Sequence, residues 1–224
     1  KYNDHEIKIE KKRRLVIEEI KKGQVIVLIS DAGTPLIADP GYKLVKKAVE
    51  EKCKVVSIPG PCALISALVV SGLPTNSFFF SGFVPKKKID KEKFFENLKS
   101  LETTLIFYET PKRIKKTLIE MSKIFGLSKN VVICKELTKK FEEIERGSLR
   151  DLVFFFSDLI NIKGEYVILL ENNNKREITD KEIIDELLIE LGSKSMKSSV
   201  SLIAKKLEVS RKKVYDIALK LKKK

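Results

Sequence analysis

Two apolar runs, each leading straight into a turn of small and rigid residues, constrain this chain more than any other feature. "VIVLI" (Val25 to Ile29) is followed by "SDAGTPLIADPG" (Ser30 to Gly41), and Lys54 to Ile58 is followed by "PGPCALISALVVSGLP". The first run does not alternate apolar with polar residues, so it predicts a strand buried on both faces. After its loop, Asp39 as cap and Pro40 at the first helical position predict a helix start, with Leu44, Val45, Ala48 and Val49 on its apolar face. Lys54 to Ile58 predicts a second strand, and the Pro-Gly-Pro turn behind it opens a small-residue helix. Two successive strand–loop–helix units predict a parallel sheet, with ligand loops beyond the carboxyl ends of the strands. A helix over Glu10 to Lys22, stopped by Gly23, precedes both.

The texture changes at Ser77. "SFFFSGFVP" reads as a strand and "KKKIDKEKFFENLKSL" as a charged amphipathic helix. Thr103 to Tyr108 and Val131 to Cys134 predict further strands, separated by a helix over Lys112 to Phe125. "DLVFFFSDL" reads as a helix and "GEYVILLE" as the last strand. The organisation expected is an α/β domain over 1–75, a second over 76–174 and a basic helical tail over 175–224. "ENNNKRE" supplies the linker to that tail.

In the tail, Val200, Ile203, Ala204 and Leu207 keep helical spacing, as do Val214, Ile217, Ala218 and Leu221, with Ser210 placed to cap the second set. That is a helix–turn–helix pattern, and Ile183, Ile184, Leu187, Leu188 and Leu191 predict a third helix for it to pack on. Its second helix carries Arg211, Lys212, Lys213 and Lys220, the expected contacts to nucleic acid. The chain has a formal net charge of +14, and Ser193 to Lys224 alone carries +9 of it, which points to a polyanionic partner.

Composition excludes other classes. No apolar run approaches membrane-spanning length, and the opening residues have no apolar core of a secretory signal. Cys53, Cys62 and Cys134 are isolated and odd in number, fitting neither a disulfide framework nor a zinc site, so a reduced cytoplasm is expected. His5 is the only histidine.

The first loop is not built for phosphate. A P-loop ends in a lysine that neutralises phosphate charge, whereas Ser30 to Gly41 offers Asp31 and Asp39 and no cation before Lys43. Ribose hydroxyls or a cationic group suit it better. Gly33 and Gly41 allow close backbone approach, while Pro35 and Pro40 stiffen the frame.

"SDAGTPLIADPGYKLV", "IPGPCALISAL", "GFVPKK", "TLIFYETPKRI", "CKELTKKFEEIERG" and "KGEYVILLE" together resemble the successive motifs of the tetrapyrrole methylase superfamily. More narrowly, they resemble its ribosomal RNA branch, the small-subunit methyltransferase I family. The resemblance implies a two-domain α/β tetrapyrrole methylase-like fold with a small C-terminal helical appendage, and a homodimer. It implies methyl transfer from S-adenosylmethionine, without a metal, to a cytidine ribose 2′-hydroxyl in the decoding region of 16S rRNA in the small ribosomal subunit. Cofactor contact is implied for Gly33, Thr34 and Pro35, for Cys62 and Ala63, and for Tyr108 and Glu109 from the second domain. Lys139 and Lys140 are implied in a cleft wall that meets RNA backbone. The match starts at the family's histidine-containing stretch, "YNDHE", so the family's opening strand and first cofactor loop are expected to be lacking.

A 2′-hydroxyl is a weak acid that gains from a nearby base or from a cation stabilising its alkoxide. Asp31, Glu109, Lys135 and Glu136, at predicted strand ends, are the candidates. Methylation of a tetrapyrrole and regulation through DNA binding by the tail are the rival functions.

Overall fold

The computed structural model describes residues 9–173, 179–191, 195–207 and 209–222. They fall into two compact units, Lys1–Asn173 and Asn174–Lys224. His5 and residues 174–178, most of the expected linker, lie outside the described residues.

The first unit runs α1 (Ile9–Lys21), α2 (Tyr42–Glu50), α3 (Ala63–Ser71), β1 (Phe78–Phe83), α4 (Lys88–Leu98), β2 (Thr104–Glu109), α5 (Ile114–Phe125), β3 (Asn130–Lys135), β4 (Glu143–Ser148), α6 (Leu149–Asp158) and β5 (Tyr166–Glu171). Its five strands form one sheet in the order β1-β2-β5-β3-β4. Only β1 and β2 pair in parallel; β5 runs antiparallel to both β2 and β3, and β4 antiparallel to β3.

The period of two along each strand divides the core between two faces. Leu105, Phe107, Val131, Ile133, Ile168 and Leu170 point to the face covered by α4, α5 and α6. Ile106, Val132, Cys134, Val167 and Leu169 point to the other, where α3 lays Leu64, Ala67 and Leu68 against them. Arg146 of β4 fixes the far end of α3, its guanidinium donating to the carbonyls of Val70 and Ser71. A cation on the last carbonyls of a helix also suits its dipole.

Both strands expected in the first 60 residues need correction. Val25–Ile29 and Lys54–Ile58 carry no strand pairing among the described residues. Val25, Val27 and Ile29 are 89%, 75% and 82% exposed rather than buried on both faces. An apolar run records what a segment would bury, not whether a neighbour stands beside it to complete a ladder. The parallel sheet expected there is therefore absent from the described residues, and the sheet is the mixed one built from residues 78–171. The cap of α2 is also different. Gly41 occupies it without a side-chain bond and the helix begins at Tyr42, so neither Asp39 nor Pro40 has its expected place.

The second unit contains α7 (Asp180–Leu191), α8 (Met196–Lys206) and α9 (Arg211–Lys222). Ile183 and Leu187 of α7, Val200, Ile203 and Ala204 of α8, and Val214, Ile217 and Ala218 of α9 make its core. Ser210 caps α9 by accepting from Lys213 N at 3.2 Å.

Candidate active site

Beyond the carboxyl ends of β1 and β2 the first unit encloses a cavity of about 400 Å³, within the range of small-molecule sites. The two loops read from sequence form one side of it. Thr34 Oγ1 donates to the Pro61 carbonyl at 2.9 Å, tying loop to loop. Gly33 has φ +73° and sits against the same carbonyl, so a side chain there would be strained by the backbone itself. Leu36 and Ala38 also hold positive φ, at 72° and 56°. Strain of this kind persists only where the surroundings over-determine it, and it concentrates at sites that bind or react.

Of the cofactor residues expected from the sequence, Gly33, Thr34, Cys62, Ala63, Tyr108 and Glu109 line the cavity and Pro35 does not. Tyr108 does more than line it. Cys62 caps α3 without a side-chain bond, and the Tyr108 hydroxyl instead accepts from Leu64 N at 3.1 Å. The ring is held edge-on by Phe80 and Phe83. Burial pushes the phenol's ionisation upward, and it stays neutral.

Among the catalytic candidates, only Glu109 is a lining residue; Asp31, Lys135 and Glu136 are not. The Glu109 side chain is fully buried and its oxygens are spoken for. Oε1 accepts from Thr110 N at 2.7 Å and meets Arg113 Nη2 at 2.6 Å, while Oε2 accepts from Thr117 Oγ1 at 2.7 Å. Thr117 Oγ1 in turn accepts from Lys91 Nζ at 3.0 Å. Arg113 spends its remaining nitrogens on Thr110 Oγ1 and the Val84 carbonyl. This buried chain joins the ends of β1 and β2 to α4 and α5, fixing the turn at Thr110 and Pro111 that borders the cavity. Burial lowers the Lys91 pKa, with Glu109 opposing that shift.

The opposite rim comes from the segments after β3 and before β5. Glu136 has φ +49°, accepts from Glu165 N at 2.9 Å and pairs with Lys139 Nζ at 3.0 Å. Lys139 reaches Glu165 as well, at 2.9 Å. Those contacts hold the Glu136 carboxyl below its usual range, the Lys139 bond first among them. A side chain at Gly164, with φ +99°, would come within 2.7 Å of Glu136 Cγ. Lys135 is bridged to Glu143 at 3.0 Å. Lys140 lies over the Phe141 ring, 5.7 Å from its centroid.

Sequence reasoning passed over Asp39, Cys134, Glu165 and Tyr166, all of which line the cavity. Only Asp39 carried a signal, as a carboxylate inside the first loop, and its expected use as a helix cap hid it. The whole lining contains three carboxylates, Asp39, Glu109 and Glu165, and neither lysine nor arginine. Arg113 and Lys139 offset two of those acids, which leaves Asp39 as the carboxylate at the cavity that suits a cationic group better than a phosphate chain.

In the second unit, Arg211, Lys212, Lys213 and Lys220 are all exposed on α9. Lys213 also reaches Asp180 of α7 at 3.4 Å. Ser198, Ser201 and Lys205 of α8 line an open groove with Arg211; the helix–turn–helix pattern alone did not single out these α8 residues.

Residues 1–153 match the family described as Tetrapyrrole (Corrin/Porphyrin) Methylases. Ribosomal RNA small subunit methyltransferase I of Halalkalibacterium halodurans is 39% identical over 225 residues, covering 96% of this chain and 76% of that relative. The protein of the same name from Rickettsia prowazekii is 39% identical over 226 residues, covering 99% and 79%. Among solved structures, the methyltransferase CobJ aligns with a TM-score of 0.56 at 16% identity, over 79% of this chain and 76% of its own. Cobalt precorrin-4 methyltransferase CbiF aligns with a TM-score of 0.53 at 16% identity, over 75% and 72%. At such identity the two structures speak for the fold.

Proposed function

The chain belongs to the tetrapyrrole methylases and, within them, to the ribosomal RNA small subunit methyltransferase I family, and from that membership we infer an S-adenosylmethionine-dependent methyltransferase acting on RNA of the small ribosomal subunit. The acceptor in this reading is a cytidine ribose 2′-hydroxyl in the decoding region of 16S rRNA. A homodimer in the cytoplasm is part of it.

One observation carries the cofactor assignment: the cavity behind the two tied loops is lined by no basic side chain, and its Asp39 carboxylate has no ion-pair partner among the described residues. S-adenosylmethionine combines a cationic sulfonium with a ribose and an amino acid group and has no phosphate, so its chemistry fits that lining. When bound, it supplies an electrophilic methyl group on a sulfonium leaving group. Gly33 and Thr34 of the first loop, Cys62 and Ala63 of the second and Tyr108 from β2 would hold it, with Pro35 stiffening the first loop. The chain's own task is alignment, keeping the acceptor oxygen in line with the methyl carbon, which can supply much of a barrier reduction. The buried Glu109–Arg113 pair serves that task by fixing the Thr110–Pro111 wall.

The exposed Arg211, Lys212 and Lys220 of α9, with Lys213, would add phosphate affinity that does not depend on sequence. Lys139 and Lys140, which follow the lining residue Leu137, would meet RNA backbone beside the cavity. A tetrapyrrole acceptor would leave this basic face without a partner, and a DNA-binding regulator would leave the acid-lined cavity without a task.

The reading is tested by incubating the protein with small ribosomal subunits lacking the modification and with methyl-labelled S-adenosylmethionine, then mapping the label. Label on a cytidine 2′-oxygen of the decoding region is expected. Label absent from the RNA, or on a base instead of a ribose, would contradict it.

A further inference from the structure

The geometry points to Asp39 as the group that takes the proton from the acceptor hydroxyl; we propose it as the catalytic base of the reaction, an inference that rests on the function proposed above. Three acidic residues line the cavity, and the carboxylates of two are engaged elsewhere. Glu109 has both oxygens engaged, by Thr110 N, Arg113 and Thr117, inside a fully buried network. Glu165 has a side chain that is 77% exposed and bridged to Lys139 at 2.9 Å. Glu136 and Lys135 are locked in bridges of their own outside the lining.

The other titratable groups at the site with resolved shifts are poor acceptors. The Tyr108 hydroxyl takes the Leu64 N–H, and burial raises its ionisation. Tyr166 donates to the Lys163 carbonyl, and burial pushes it up to about 12. Burial likewise pushes the Cys134 thiol up to about 11. All three stay neutral near neutral pH.

Asp39 differs from each of them. It is partly exposed, it lines the cavity, and α2 leaves it unused because Gly41 takes the capping position. Among the described residues its carboxylate has no hydrogen-bond or ion-pair partner. The positive φ of Leu36 and Ala38, immediately before it, holds this stretch in a conformation that an unconstrained loop would not keep. A spare carboxylate beside an acceptor site can receive a hydroxyl proton as that oxygen reacts. In the step, the ribose oxygen bonds to the methyl carbon while the carbon–sulfur bond breaks and its electron pair passes to sulfur. The hydroxyl proton moves to an Asp39 oxygen and then to water.

The experiment compares wild type, Asp39→Asn and Asp39→Glu in two measurements: single-turnover methyl transfer to small subunits at saturating donor, and donor binding by calorimetry without RNA. For Asp39→Asn the rate should fall roughly 10²- to 10⁴-fold while donor affinity stays within about threefold, with part of the rate kept by Asp39→Glu. An Asp39→Asn rate within about tenfold of wild type would overturn the proposal, and so would a loss of donor affinity parallel to the loss of rate. Wild-type protein that binds donor yet labels no RNA would defeat the proposed function itself. Active wild type with an equally active Asp39→Asn would defeat only the role of Asp39.

Discussion

Glu109 shows what a buried charge requires. Removed from water without partners, a carboxylate would cost several kcal/mol; here Thr110, Arg113 and Thr117 donate to it, and Lys91 supports Thr117 from a second helix. The strand-end position of Glu109 was within reach of sequence reasoning. The arrival of Lys91 from α4 was not, because it depends on how two helices pack on one sheet face. Asp39 shows the reverse failure: its neighbour Pro40 made a helix cap the natural expectation, and only the position of Gly41 released it. Breaking the buried pair has a definite expected cost. Arg113→Met leaves Glu109 short of its cation and should lower unfolding stability by about 3–5 kcal/mol, read as a lower urea midpoint at unchanged slope. A change below about 1 kcal/mol would mean the pair acts like an exposed one.

At the scale of elements, legibility followed the number of neighbours each segment needs. Helices α1, α5, α6 and α9 carry their own hydrogen bonds and an apolar stripe, so pattern alone located them. Strands β2, β3 and β5 lie between others and bury both faces, and their apolar runs announced them. Strand β4, "EIERGS", is a half-exposed edge with polar side chains, and no apolar run announced it. Val25–Ile29 erred in the other direction, apolar enough for a strand yet unpaired among the described residues. For α9 the expectation is quantitative. The triple variant Arg211→Gln, Lys212→Gln, Lys220→Gln should weaken RNA binding and flatten the slope of log affinity against log salt by about 2–3. Donor affinity should not move, and an unchanged salt slope would remove α9 from the RNA surface.

Across the whole molecule, charge is sorted by task. A strongly basic chain keeps lysine and arginine out of the lining of the cavity in its first unit, and concentrates its net positive charge in the second, helical unit. The lysine-free first loop foreshadowed that division, and the six ordered motifs pointed to the family, whereas the carboxylates gathered from β2, the β5 approach and the first loop emerged only from the fold. Everything proposed about chemistry depends on the cavity accepting a cationic methyl donor in preference to a nucleotide phosphate. Calorimetric titration of the protein with S-adenosylmethionine and, separately, with ATP tests this most directly. Saturable uptake of S-adenosylmethionine with no measurable uptake of ATP at the same concentrations is predicted; tight ATP binding with indifference to S-adenosylmethionine would contradict it.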